Sequence, residues 1–187
     1  MSPAFQDPNV LVMQWVFVAV FAISGALALM LKIRDSPYML ASLPLLALAS
    51  HQMEEYLVSP LLLGHDYHFL NWAFAAGFYI SPTSVVTVNL LAYLGSAALF
   101  LCKPSSLVFA FVFLFINAMT FANGAFHIGV ATLQSSYSPG MLTSLLMFMP
   151  LYLKSVLNAS EHGVSFTKLC GLSAYGFIAH FVLIWLI

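Results

Sequence analysis

The chain has 187 residues, 62% of them hydrophobic and only 6% charged, with a net charge of -1. Soluble domains carry about 25% charged residues, so a water-soluble fold is excluded, and the lack of a basic surface excludes nucleic acid and a polybasic anchor on acidic lipid. What remains is an all-α polytopic membrane bundle, one domain over residues 1–187, with length for about six spans of roughly 20 residues.

The first residues, 1–9, are polar and lack the basic start and small-residue cleavage site of a secretory signal, so the first apolar segment is expected to be retained as span 1, about residues 10–31. Lys32, Arg34 and Asp35 close it. Ser36 reads as an N-cap and Pro37 as the first residue of span 2, expected over 37–58 with a kink at Pro44. Between Ser59-Pro60 and Ser81-Pro82 the chain is dense in aromatics, including Tyr67, Phe69, Trp72, Phe74, Phe78 and Tyr79. That density suits the membrane interface, and predicts an interfacial or re-entrant helix with the character of a lid. Span 3 is expected over 82–102. Span 4, over 105–133, is longer than needed and so tilted or broken near Asn123-Gly124. Span 5 is expected from Pro139, after a Ser138 cap, to residue 157, and span 6 over 166–187. No internal repeat is evident, and Cys102 and Cys170 lack a metal or redox spacing and read as packing residues.

The basic residues orient this arrangement. With six spans Lys32, Arg34, Lys103, Lys154 and Lys168 all fall on one side, the cytoplasmic one. Both termini, the aromatic segment and the loop around Tyr137 then lie on the non-cytoplasmic side.

Span 2 carries His51-Gln52-Met53-Glu54-Glu55. At about 100° per residue the two glutamates fall roughly 60° and 40° to either side of His51, so all three share a face. Each ionisable group in a span costs at least about 2.5 kcal/mol at the helix centre, so the face is expected to look into a protein interior and to be functional. Asn123 and His127 lie one turn apart on span 4. His51, Asn89, His127 and His180 each fall roughly 10 Å below the outer boundary at about 1.5 Å per residue, which predicts one polar chamber that Gln14 also reaches. Spans 3 and 5 begin with free backbone N–H groups facing this chamber, able to hold an anion or oxyanion, and Thr143 adds a hydroxyl.

Together, His51 with Glu54 and Glu55, Asn123 with His127, and Tyr137, Pro139, Gly140 and Thr143 match three ordered motifs, His-x-x-Glu-Glu, Asn-x-x-x-His and Tyr-x-Pro-Gly-x-x-Thr. In this the chain resembles the HXXEE integral membrane family. The resemblance implies a multi-pass membrane protein whose motif residues form an active site, and implies no particular reaction.

The residue types suggest one. His51, a glutamate and His127 supply the two nitrogens and one carboxylate of a catalytic zinc site, with His180 as a further candidate ligand and the remaining glutamate as general base to a bound water. Glu55 stands where the inverted zinc motif His-x-x-Glu-His has its second histidine. Another divalent transition metal, such as ferrous iron, suits the same set. The first expectation is therefore metal-assisted hydrolysis of a membrane lipid, isoprenoid or other apolar small molecule, with Glu54, Glu55, Asn123, Tyr137 and Thr143 at the catalytic centre. A metal-free acid/base isomerase or cyclase, and a proton- or cation-coupled transporter, are the alternatives. The structural readings are a polar network for the His51 cluster, interhelical hydrogen bonding for Asn123 and His127, and a satisfied core histidine for His180. Asn89 and Asn117 read as packing residues, and His65-Asp66-Tyr67-His68 as a solvated loop.

Overall fold

Residues 8–186 are described by a computed structural model, and every regular element among them is helical. Helix α1 (Pro8–Ile33) is an apolar run with its one charge, Lys32, in the last turn. It buries Val10, Met13, Phe17, Ser24 and Ala28, a narrow stripe of helical period, and leaves Leu11, Trp15 and Ile23 exposed for lipid. The chain then turns through Asp35 in the left-handed region. The Ser36 hydroxyl accepts from the Tyr38 N–H at 3.3 Å, so Ser36 and Pro37 build the turn, and helix α2 (Met39–Met53) starts later than the sequence suggests.

Pro44 lies inside α2, which nevertheless continues, through a π-helical turn Glu54–Val58 and α3 (Ser59–Leu63), past the expected end at Val58. Gly64, at φ 102°, stops the run. The π turn has a cause in the sequence. Pro60 has no N–H, and in a regular α-helix its ring would press on the carbonyl four residues back, that of Tyr56. The wider turn, closed by the Ser59 N–H on the Glu54 carbonyl, makes room there. The Tyr56 carbonyl instead accepts from Gln14 Nε2 of α1 at 2.9 Å.

The aromatic segment folds inward as a short helix. A 3-10 turn (His65–Tyr67) leads to α4 (Phe69–Ala75), which buries Phe69, Leu70, Trp72 and Ala73. His65 and Asp66 are exposed, but His68 is fully buried, contrary to the solvated loop expected for all four residues. Helix α5 (Pro82–Ala98) begins as predicted, Ser81 Oγ accepting from the Ser84 N–H at 3.0 Å. Helix α6 (Leu107–Gln134), capped by Ser106, runs unbroken through Asn123-Gly124. Over its 28 residues, about 42 Å at 1.5 Å each, the excess length is not taken up by a break.

After α6, Gly140 at φ +90° admits a one-turn helix α7 (Met141–Thr143), a second π turn (Ser144–Phe148) and α8 (Met149–Glu161). This π turn is also followed two residues later by a proline, Pro150. Ser138 does not cap the run; its side chain is used elsewhere. Helix α9 (Phe166–Leu186) packs closely on α6: a Cβ at Gly176 would lie 2.6 Å from Ala118 Cβ and 2.9 Å from the Phe115 carbonyl. Cys170 is exposed on α9 rather than packed, and Cys102 is half-buried.

Five helical stretches, Pro8–Ile33, Pro82–Leu101, Leu107–Gln134, Met141–Glu161 and Phe166–Ile184, have the length and apolar character to cross a membrane. The sixth expected span, now the run 39–63, has the length but loses apolar character to His51, Gln52, Glu54 and Glu55. Its first half packs on α1 and α5, Glu54 of its π turn bonds the chain at 137–143, and that chain packs on α6. That junction builds the site.

Candidate functional site

His51 and Glu55 are neighbours one turn apart on the run 39–63, and His127 reaches them from α6. Glu55 Oε1 lies 3.4 Å from His51 Nε2 and 3.2 Å from His127 Nε2. All three side chains are buried, at 0%, 4% and 1% exposure, and their ligand atoms fall within 4.8 Å of one another. The three form a group that could hold a metal ion. The anticipated meeting of His51, a glutamate and His127 is present.

The other imidazole nitrogens are held by hydroxyls. His51 Nδ1 is 2.9 Å from Thr143 Oγ1, which also lies 3.2 Å from the Gly140 carbonyl oxygen. Either Nδ1–H or the Thr143 hydroxyl donates across this contact, according to the tautomer. His127 Nδ1 lies 3.0 Å from Ser138 Oγ, with the same choice. Two ring nitrogens and a carboxylate oxygen converging in a buried space call for a cation or shared protons between them. Around them stand Phe148, 4.7 Å from the His51 ring centre, and Phe69 and Trp72 of α4, 5.6 and 6.3 Å from that of His127. Gly140 passes so close to His51 that a Cβ there would lie 2.4 Å from Cε1.

Glu54 stands apart from this group. Its Oε1 accepts from the Leu142 N–H at 2.9 Å and from the Tyr137 hydroxyl, and its Oε2 accepts from the Thr143 N–H at 2.6 Å. The free N–H groups expected to receive an oxyanion at the start of span 5 are thus occupied by a carboxylate of the protein itself. Burial and the Glu54 carboxylate beside it hold the Tyr137 phenol above its usual pKa, so it remains a donor. Ser59 Oγ completes this arm, 3.1 Å from the Tyr137 hydroxyl. Tyr137 and Thr143 therefore orient other groups.

Asn123 Nδ2 lies 3.5 Å from His51 Nε2, longer than an ordinary hydrogen bond. Asn123 also lines a cavity of about 570 Å³ shared with Glu55, Gln52, Asn89 and His180. Asn89 accepts from Gln52 Nε2, and Tyr93 donates to Gln52 Oε1 at 2.6 Å, so Asn89 has the packing role read from the sequence. Asn117 donates to the Phe113 carbonyl of its own helix. His180 faces the cavity but is not one of the three members of the ligand group. Gln14, expected in the chamber, instead bonds the Tyr56 carbonyl and lies 3.1 Å from His68 Nε2. Ser138, Gly140 and His68 are the residues whose roles sequence reasoning missed. For the first two the available signal was their position inside the Tyr-x-Pro-Gly-x-x-Thr motif.

Residues 42–154 match the model of a family described as a protein of unknown function with HXXEE motif. No curated protein and no solved structure matches the chain. The matched stretch contains the ligand group, the Glu54 arm and α4, and leaves out α9 with His180.

Proposed function

Because the chain belongs to the HXXEE-motif family, whose function is unknown, its reaction has to be read from the site, and we propose a membrane enzyme that hydrolyses a lipid-like or isoprenoid substrate with zinc held by His51, Glu55 and His127. The carrying observation is the convergence of two Nε2 atoms on one carboxylate oxygen at 3.4 and 3.2 Å. Zinc bonds of about 2.0–2.2 Å in a tetrahedron place neighbouring ligand atoms about 3.3–3.5 Å apart, close to the two histidine–Glu55 distances, and all three ligand atoms lie within 4.8 Å of one another. Thr143 and Ser138 supply the outer hydrogen bonds that fix imidazole ligands.

Glu55 lines the cavity, so a metal held by these three residues would stand beside the space open to a substrate. It would polarise a carbonyl and bring a bound water near neutral pKa. The second oxygen of Glu55 takes the proton from the water as its oxygen attacks the substrate's carbonyl carbon. The same proton passes to the leaving oxygen or nitrogen as its bond to carbon breaks. Asn123 Nδ2, only loosely engaged by His51, donates to the developing oxyanion. Glu54 is a positioning residue, tying the start of the Met141–Glu161 helix to the run 39–63, rather than the general base expected of the second glutamate. We also place the run 39–63 as the sixth crossing, its polar face covered by α1, α5 and α6, which puts both termini on the non-cytoplasmic side.

Elemental analysis of protein purified without chelator tests this. One equivalent of metal in the wild type, none in His51→Ala, Glu55→Ala or His127→Ala with helicity retained, and retained metal with lowered thermal stability in Glu54→Gln is the expected pattern. Wild-type protein without metal sinks the zinc reading and leaves acid/base chemistry by the same groups.

A further inference from the structure

The cavity beside the ligand group has a polar end and an apolar remainder. At the polar end stand Glu55, Asn123 and the mutually bonded Gln52 and Asn89; the rest is lined by residues such as Val85, Val88, Phe126, Phe181 and Ile184. His180 projects from α9 into the same space. It is 6% exposed, and its Nε2 is buried with no hydrogen-bond partner among the described residues. A buried imidazole nitrogen left without a partner is costly, and native proteins rarely keep one unless something else satisfies it. His180 is not bonded to the Gln52 amide and is not among the ligand group, so its partner is to be sought in what fills the cavity.

The lining also limits what that is. Among the lining residues there is no Lys or Arg, and the one charged side chain, Glu55, is engaged by two histidines. A phosphate or carboxylate head is recognised by guanidinium, ammonium or several N–H donors; the helix start that lines the cavity is that of α5, where the Ser84 and Val85 N–H groups are already bonded to Ser81. At about the 30 Å³ that a water occupies in the liquid, 570 Å³ seats roughly 20 non-hydrogen atoms, a head group and most of one chain, with the remainder of the chain in the opening. Phe181 and Ile184 of α9 are 48% and 44% exposed, and Tyr79 before α5 is 86% exposed, so the apolar end opens sideways between α5 and α9, toward the bilayer.

We propose that this cavity binds an uncharged single-chain amphiphile, an acyl ester or amide, whose chain enters between α5 and α9 and whose polar head is hydrogen-bonded by His180 Nε2. The proposal names the substrate class of the site described above and rests on that reading for its chemistry. Its binding claim stands without turnover. His180 is then a binding and specificity residue, able to donate or accept according to tautomer.

The test uses the whole chain in lipid nanodiscs and a clickable monoacylglycerol with a diazirine in its chain. Photolabelled peptides should come from residues 85–88 and 181–184, and excess monooleoylglycerol should compete while lysophosphatidic acid and phosphatidylcholine do not. His180→Leu should weaken binding about tenfold and His180→Gln should largely restore it. Val88→Trp, which fills the cavity and leaves His180 in place, should abolish labelling at these positions. Equal competition by lysophosphatidic acid, labelling indifferent to Val88→Trp, or equal affinity in His180→Leu would overturn the proposal. Wild-type protein that binds the probe but holds no metal would keep this inference and remove the zinc hydrolase, whereas metal-dependent cleavage of a charged lipid would do the reverse.

Discussion

Replacing Gly140 by alanine tests whether the close approach of the chain to His51 positions the site. Two costs can be separated. The first is conformational, because φ is +90° and an L-residue there costs roughly 1–2 kcal/mol. The second is steric: the new Cβ would lie 2.4 Å from His51 Cε1 and 3.0 Å from Nε2, whereas carbon atoms rest about 3.5 Å or more apart. The ring would have to give way by about 1 Å, yet Thr143, Glu55 and Phe148 hold it on other sides. Overpacking of this kind adds about 1–3 kcal/mol, so the total loss of stability should be about 2–5 kcal/mol. A ligand moved by about 1 Å exceeds the tolerance of about 0.5 Å for a working site, and should cost on the order of 10²-fold in activity. Gly163→Ala supplies the control, since Gly163 at the end of α8 has φ +75° and nothing within 4 Å of the place its new methyl would occupy; it carries the conformational cost alone. The assay is metal content beside thermal unfolding for wild type and both variants. If Gly140→Ala keeps its metal and unfolds with Gly163→Ala, His51 is not held by this contact and the reasoning is wrong.

Thr143→Val and Ser138→Ala remove the hydroxyls behind the two imidazoles and should each weaken metal affinity by about 10–100-fold, measured by competition with a chromogenic chelator; unchanged affinity would assign these hydroxyls to packing. His68 predicts a pH dependence: burial pushes its pKa from 6.5 down to about 4, so the folded chain prefers the neutral ring, and stability present above pH 6.5 should be lost as pH falls toward 4, by up to about 3 kcal/mol. Melting curves across that window should show the loss and His68→Asn should flatten it; an unaltered slope in the variant would refute the assignment. Cysteines introduced singly at Lys32 and Lys103 should react from the same face of sealed vesicles, whereas opposite faces would mean that the run 39–63 does not cross.

Much of the site was legible because membrane burial makes polar residues informative. His51, Glu55 and His127 stand out against an apolar background, and their matched depth on separate spans follows from rise per residue alone. The division of labour between the glutamates was not legible, because a wheel drawn at 100° per residue puts both beside His51. Only the approach of residues 137–143, which also touch His51, draws Glu54 to Tyr137 and two backbone donors. That same contact fills the helix start that looked vacant in the sequence. His68 was misread because composition places a short His-Asp-Tyr-His stretch in solvent, while its burial depends on Gln14 and Tyr56, more than ten residues away in each case. Helix starts after Ser36 and Ser138 were misplaced for a local reason: each serine takes part in the preceding turn or in His127's hydrogen bond instead of capping.

The π turn at Glu54–Val58 also changes how this stretch should be aligned and compared. A continuous α-helix would rotate Ser59 about 80° away from His51, eight residues earlier; one π turn absorbs the equivalent of a residue and brings it back to within roughly 20°. Ser59 can therefore reach the Tyr137 hydroxyl on the side that His51 also occupies. Any alignment of related chains that treats the spacing from the histidine to the Ser-Pro pair as freely variable discards this phase. A gap of a single residue there is a change of face for everything that follows, including the proline that made the turn necessary.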